Sequence, residues 1–295
     1  RDCVSKDYIR DNIKSNLKMI DHSRFMHRIS PHNQTALIVS GGPYLNIKEL
    51  KDTIKENPGC KVVCVKHSYN KLLENNIKPW ACVLLDPRPI TGISTHGIMR
   101  KDLFKKVDPS TKFFVASMTD PSVTEHLIKK KADIYGWHAF TESLREEDER
   151  GIQIINNQVH LIDELGIPQG STLITGGTCA AMRAIGIMNT MGFREMHLFG
   201  FDCSMEEPTE KQMEETTGAE DEEPKSKYMK VTVNDKDFWT TGELLAMAQD
   251  CERTFRDDNS AINFTYHGEE TMVAELWEII ESERPLPNFK EVFDD

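Results

Sequence analysis

The 295-residue sequence predicts an α/β fold built on a mainly parallel sheet with helices on both faces. Three observations lead to this prediction. Short aliphatic runs alternate with segments of helical spacing, most runs end at glycine, proline or aspartate, and few of them show the alternation of a half-exposed strand. The composition, 38% hydrophobic and 28% charged, is that of a globular protein. The net charge of −12 disfavours a protein that coats nucleic acid, which needs a basic surface.

Residues 1–33 are predicted to form a helical arm, because apolar positions between Tyr8 and Phe25 recur at a loose helical spacing. The arm is expected to pack on the body, and composition leaves open whether it packs on a second copy in a homo-oligomer. No membrane span and no secretory leader are expected, and Arg1 in place of Met leaves open whether the native N-terminus was trimmed. Seven scattered cysteines without a CxxC pair predict reduced thiols and a cytoplasmic protein without a zinc site.

Strands and helices are then predicted to alternate through the body. Val62 to Val65 is typical of a buried strand, and Asn46 is a suitable cap for a helix that stops before Pro58-Gly59. The predicted strands are 35–40, 61–65, 81–85, 113–117, 133–137, 195–200 and 261–266. The predicted helices are 46–56, 68–75, 122–131, 178–191, 241–255 and 270–281.

An acidic segment interrupts this alternation. Residues 205–224 contain nine acidic side chains and one lysine, so 205–236 is predicted to be an insertion. It is either a solvated, disordered segment or a lid that leaves the strand bearing Asp202. Residues 34–204 then form the main domain, and 237–295 form a C-terminal α/β portion that completes it.

Two glycine turns are the first candidate ligand sites, since ligands of parallel sheets bind beyond the carboxyl ends of the strands. Ser40-Gly41-Gly42-Pro43 follows the first strand, and Thr175-Gly176-Gly177-Thr178 precedes a helix. Glycine lets backbone amides approach an anion, and a helix start favours phosphate. Neither turn has the GxGxxG or P-loop pattern, so a plain tight turn and a glycine-assisted helix entry are the alternatives. Together the two turns predict a phosphate-bearing ligand.

Charged residues at strand ends are the next candidates. Asp86 and Asp202 are each placed to hold Mg²⁺, cap a loop, orient a ribose or act as a base. Lys66 and His67 follow the second strand, and His67 is the histidine best placed for a ligand contact.

Four motifs in order resemble one family: VSGGPYL at 39–45, NIKP at 76–79 running into LLDP at 84–87, GGT at 176–178 and GFREMHLFGFD at 192–202. The family contains motility accessory factor glycosyltransferases and archaeal 6-hydroxymethylpterin diphosphokinases, and bacterial sialyltransferases show a similar series. The resemblance covers about residues 35–203. It implies a Rossmann-like fold that binds a nucleotide.

The resemblance also assigns expected roles. Gly41 and Gly42 fall where the sialyltransferase turn holds the donor phosphate, and Thr175 to Gly177 fall on a segment that contacts ribose and base. The nucleotide- and phosphate-binding set implied by the turns and the resemblance together is Ser40, Gly41, Gly42, Pro43, Lys66, His67, Asp86, Thr175, Gly176, Gly177 and Thr178.

Two departures from the family pattern shape the expected chemistry. The Asp-rich metal segments of the pterin kinases are largely missing, which favours glycosyl transfer without a metal. The alternative is a diphosphokinase that uses ATP and Mg²⁺, with Asp86, Asp120 and Asp202 as the metal ligands. The lid histidine of the sialyltransferases is missing too. Asp237 is its nearest substitute, His267 is a second candidate, and Asp202 completes the catalytic set.

The sequence therefore predicts a glycosyltransferase. A nucleotide-sugar donor, such as a CMP-linked nonulosonic acid, would pass its sugar to a hydroxyl of an acceptor that the sequence does not identify. No cofactor is required. The alternatives are the ATP- and Mg²⁺-dependent diphosphokinase and a non-catalytic nucleotide-binding relative.

Overall fold

The computed structural model describes residues 4–90, 104–140, 165–168, 170–177, 179–216, 228–257 and 260–284. Ten strands lie in these ranges: β1 (His32–Val39), β2 (Lys61–Val65), β3 (Ala81–Leu84), β4 (Lys112–Ala116), β5 (Asp133–Ala139), β6 (Leu173–Ile174), β7 (Phe193–Phe199), β8 (Tyr228–Val233), β9 (Lys236–Thr241) and β10 (Asn263–His267). Eight of them form one sheet in the order β10-β7-β1-β2-β3-β4-β5-β6, and every adjacent pair is parallel. The predicted Rossmann-like α/β fold is confirmed.

The helices are α1 (Lys6–Met19), α2 (Ile47–Glu56), α3 (Lys66–Glu74), α4 (Pro121–Lys129), α5 (Ala180–Thr190), α6 (Glu210–Thr216), α7 (Gly242–Phe255) and α8 (Met272–Glu283), with a 3₁₀ turn at His22–Arg24. Asn46 caps α2 as predicted, because its side chain accepts from the Glu49 amide at 3.1 Å. None of these helices is long and apolar enough to cross a bilayer.

The sheet is buried on both faces. Ala36 and Ile38 of β1 belong to one hydrophobic core, and Leu37 and Val39, which alternate with them, belong to a second core on the opposite face. All four side chains are fully buried. This two-sided burial explains why the strand sequences are continuous apolar runs rather than alternating ones.

The strand order creates a topological switch point beside β1. The chain runs from β1 to β6 in one direction and then returns to place β7 on the other side of β1. Connections on the two sides of β1 leave toward opposite faces at such a point, so a crevice opens at the carboxyl ends of β1, β2 and β7.

The N-terminal arm is held to the body by buried side-chain amides. Asn16 of α1 is fully buried, and its amide donates to the carbonyl oxygens of Ser117 at 2.8 Å and Thr119 at 2.6 Å. Asn12 donates to the carbonyl oxygens of Pro87 and Met118. These carbonyls belong to the loops after β3 and β4, so α1 lies against the carboxyl edge of the sheet.

The sequence did not predict three strands. β6 has only two residues, which is too short for a recognisable pattern. β8 and β9 form an antiparallel hairpin whose turn residues, Asn234 and Asp235, both have positive φ angles of 51° and 59°. The expected boundary between insertion and C-terminal portion, at 236, falls inside this hairpin. The rest of the acidic insertion contains α6, and its residues 217–227 lie outside the described residues.

Candidate functional site

A cavity of about 920 Å³ lies at the switch point, beyond the carboxyl ends of β1, β2, β3 and β7. Its volume is in the upper part of the range of small-molecule sites. Its wall brings together most of the residues that the sequence singled out. They are Ser40, Gly41, Gly42, Pro43, Lys66, His67, Asp86, Gly177 and Asp202.

The turn after β1 is fixed by β7. The Gly42 amide donates to the Gly200 carbonyl at 3.0 Å, and the Tyr44 amide donates to Oδ2 of Asp202 at 2.8 Å. Gly42 has to be glycine, since a Cβ there would lie 2.2 Å from Oδ2 of Asp202. The Gly42 amide thus serves the fold instead of a ligand. The Gly41 amide has no backbone acceptor within the described part of the chain.

Asp202 is buried beneath this turn, at 2% exposure. Burial raises the pKa of its carboxyl above the ordinary value, against the opposing effect of the hydrogen bond from the Tyr44 amide. The raised pKa makes this carboxyl a better proton acceptor than an exposed aspartate, and its hydrogen bond from the Tyr44 amide holds the turn in shape.

Lys66, Asp86 and Arg88 form a charged group at the floor of the cavity. Lys66 Nζ pairs with Oδ2 of Asp86, and the Arg88 guanidinium binds both oxygens of the same carboxylate at 2.7 and 2.8 Å. Burial alone would raise the pKa of Asp86, but the hydrogen bonds from Arg88 and the charge of Lys66 hold it well below its ordinary value. The formal charges of these three side chains add up to +1.

The second glycine turn reaches the cavity only through Gly177. Thr175 and Gly176 are exposed and line a separate depression of about 430 Å³, which Gly177 borders as well. Asp250 stands behind the turn, and a Cβ on Gly177 would lie 2.2 Å from its Oδ2. Thr178 lies outside the described residues.

Neither Asp237 nor His267, the other two candidate bases, is among the residues that line the cavity. Asp237 is exposed on β9, where it accepts from the Thr232 hydroxyl at 2.7 Å across the hairpin. His267 ends β10, the edge strand beyond β7, and its ring bonds to Glu49 and His197 at 2.8 Å each. The edge position of β10 separates His267 from the switch point, which lies beside β1.

Several residues of the cavity wall were not predicted. Arg88 follows Asp86 by two residues, so its closeness was available in the sequence. The sequence could not place Arg183 at the cavity, because that depends on which side of α5 faces the crevice. An apolar wall was missed for a similar reason, since it comes from distant segments: Val4 before α1, Ile9 of α1, and Leu244 and Met247 of α7.

The carboxylates proposed as Mg²⁺ ligands are already engaged. Asp86 binds Lys66 and Arg88, and Asp120 caps α4 at the Ser122 amide while accepting from the Tyr8 hydroxyl at 2.6 Å. Among the residues that the structure describes, no three His, Cys, Asp or Glu side chains are grouped to hold a metal ion. These carboxylates therefore do not fit as a ready Mg²⁺ set.

The fold is that of a parallel α/β protein with a cavity at a switch point of its sheet. A family model described as 6-hydroxymethylpterin diphosphokinase MptE-like matches residues 8–208, and the chain belongs to this family. Among solved structures, the MAf glycosyltransferase from Magnetospirillum magneticum AMB-1 is similar over 95% of this chain, with a TM-score of 0.53 and 12% identity. The match covers 43% of that protein, so this chain spans less than half of its length. No curated protein matches the sequence.

Proposed function

We propose that the protein is a transferase that binds a nucleotide-activated sugar in the cavity and passes the sugar to an acceptor hydroxyl. The observation that carries this proposal is the Lys66–Asp86–Arg88 group, with net formal charge +1, which lines the same cavity as Gly41; Lys66 and Asp86 are buried and Arg88 is partly exposed. Arg183 adds a third cation and Asp202 a second carboxylate, so the cavity wall is cationic in a chain of net charge −12. Such a site favours phosphate oxygens.

Family membership and fold support the same class. The description of the family names a diphosphokinase, and the structural neighbour is a glycosyltransferase. Both names describe transferases. The glycosyl version is favoured here because the carboxylates proposed to hold Mg²⁺ are bound to cations or to the fold.

In the proposed reaction the acceptor oxygen attacks the anomeric carbon of the donor. The bond between that carbon and the phosphate oxygen breaks, and its electron pair leaves with the nucleotide. Arg88 and Lys66 stabilise the charge that develops on the phosphate. The acceptor proton goes to a base, and Asp202 is the candidate of the three that lies on the cavity wall and has a raised pKa.

Pyrophosphoryl transfer is the second candidate, and the family match over residues 8–208 favours it. In that reaction the acceptor hydroxyl attacks the β-phosphorus of ATP, and AMP leaves. The cationic floor would then hold the polyphosphate, and Mg²⁺ would arrive with the nucleotide.

Thermal unfolding with CMP, CDP and ATP, each with and without Mg²⁺, tests the proposal. Ligand at one hundred times its Kd stabilises a protein by about 2.7 kcal/mol, which shifts Tm by several degrees. We expect a cytidine nucleotide to raise Tm without Mg²⁺, and Lys66→Met to reduce this shift. Lys48→Met is the matched control, because Lys48 is exposed on α2.

Three results would decide between the candidates. A shift with ATP and Mg²⁺ alone would support the diphosphokinase. No shift with any nucleotide would refute both candidates. A shift that Lys48→Met and Lys66→Met reduce equally would place the nucleotide elsewhere than at the cationic floor.

A further inference from the structure

Arg183 is a cation at the cavity wall whose surroundings do not neutralise it. It lies in the first turn of α5, and its Nη1 donates to the Ile174 carbonyl at 2.7 Å. Its Nε is buried and has no hydrogen-bond partner within the described residues. A buried donor without a partner costs free energy, so this position needs a compensating reason.

Arg183 differs in its partners from the two cations at the cavity floor. Lys66 and Arg88 share the carboxylate of Asp86, whereas no described carboxylate lies within ion-pair distance of Arg183. Asp250 is near enough to favour the charge of Arg183 electrostatically, but its carboxylate is paired with Arg253. Burial lowers the pKa of Arg183 from its ordinary value, the direction expected when a guanidinium is desolvated without a full counter-charge.

The local structure holds the side chain in place and adds positive potential. A Cβ on Gly176 would lie 3.3 Å from Cδ of Arg183, so the stem of Arg183 packs closely against the second glycine turn. Cys179, Ala180 and Ala181, at the start of α5, line the same cavity as Arg183. The amino end of a helix carries partial positive charge, which acts together with the guanidinium.

We propose that Arg183 is an additional anion-binding residue of the cavity and that it pairs with an oxyanion of the ligand, which supplies the missing counter-charge. This inference rests on the proposed function only in assuming that the ligand is anionic. Phosphate and carboxylate oxygens both suit a guanidinium fork, so the ligand group is one of these two.

The test compares Arg183→Met with Arg256→Met, a control in which an arginine at the end of α7 is removed whose partners, Glu252 and Glu283, both have solvent-exposed side chains. Isothermal titration with inorganic pyrophosphate and with malonate, at constant ionic strength, measures the two oxyanion types separately. We expect Arg183→Met to weaken binding of one or both probes by about tenfold or more, as for loss of a charge-assisted hydrogen bond. Arg256→Met should leave both affinities unchanged. If Arg183→Met weakens only one probe, that probe identifies the oxyanion.

The Tm of Arg183→Met without ligand is a second readout. If Arg183 mainly stabilised the fold, its removal would lower this Tm. Removing an unneutralised buried charge should leave Tm unchanged or raise it. A large fall in Tm, or unchanged affinity for both probes, would overturn the inference. Arg183→Lys keeps the charge and should recover part of the affinity; failure of Arg183→Lys to bind better than Arg183→Met would also count against it.

The two proposals can fail separately. If no nucleotide stabilises the protein but pyrophosphate binding depends on Arg183, the proposed function is wrong and this inference stands. If nucleotides bind and Arg183→Met binds them and both probes as the unmodified protein does, this inference is wrong and the proposed function stands.

Discussion

Asp86→Asn should be one of the most destabilising single substitutions in the cavity floor. The side chains of Lys66 and Asp86 are only 10% and 6% exposed, so water cannot replace the lost partner of Lys66. Removing one member of a buried pair costs about 3–5 kcal/mol, because a charge is left in a poorly solvated place. For a chain of this size, 3 kcal/mol corresponds to a fall in Tm of roughly 6–12 °C.

Lys66→Met, which removes the cation of the pair, should lower the free energy of unfolding by less than Asp86→Asn. In Lys66→Met the Asp86 carboxylate keeps Arg88, which binds both of its oxygens, so no buried charge is left alone. Urea denaturation at pH 7 measures the free energy of unfolding of each variant. Asp52→Asn is the control for an exposed carboxylate that pairs with Lys48, and it should cost less than about 1 kcal/mol.

Two outcomes would refute this reasoning. If Asp86→Asn costs no more than Asp52→Asn, the pair is not buried in the sense described. If Lys66→Met costs more than Asp86→Asn, Arg88 does not neutralise the carboxylate. The pH dependence gives a further check, since a lowered pKa means that Asp86 stabilises the fold above its ordinary value of 3.8 and that this contribution is lost as the pH falls below it.

Three further predictions concern the packing around the sheet. Gly42→Ala should cost about 1–3 kcal/mol in urea denaturation because its Cβ would overlap Asp202, whereas Gly242→Ala, where nothing lies within 4 Å, should be neutral or slightly stabilising. Burial, with a smaller effect from a nearby histidine, lowers the pKa of His138 from 6.5 to about 4, so the unfolded chain takes up a proton that the folded protein excludes. Stability should therefore fall by about 3 kcal/mol between pH 6.5 and 4, and His138→Asn should flatten this dependence; an unchanged slope would contradict the assignment. Asn16→Ala should cost about 1–3 kcal/mol and speed proteolysis within α1, because it leaves two buried carbonyls without donors, and an unaltered cleavage rate would show that the amide does not hold the arm.

The sequence was most informative where a single local pattern determines the structure. The run ending at Val65 and the cap at Asn46 predicted an element and its position almost to the residue, because burial on both faces and a side-chain cap act over a few residues. The strand-end rule then placed Gly41, Lys66 and Asp86 at one cavity before their contacts were known.

Prediction was weaker where distant segments decide the outcome. The hairpin at 228–241 was hidden beside a charged segment, although Asn234-Asp235 is a suitable pair for a turn with positive φ angles. Arg183 and Asp250 contact the second glycine turn because of the way α5 and α7 are rotated, and the packing of the helices decides that rotation. The same reason applies to His267, whose strand proved to be at the sheet edge.

The charged floor and the apolar wall of the cavity come from separate stretches of the sequence. The strand termini supply Lys66 and Arg88, whereas Ile9 comes from α1 and Met247 from α7. Substitutions in those helices can reshape the apolar part of the cavity without disturbing Lys66 and Arg88. If the cavity binds the proposed ligand, its selectivity can then change while the proposed anion-binding group is kept, and chimaeras exchanging only α1 or α7 would test that independence.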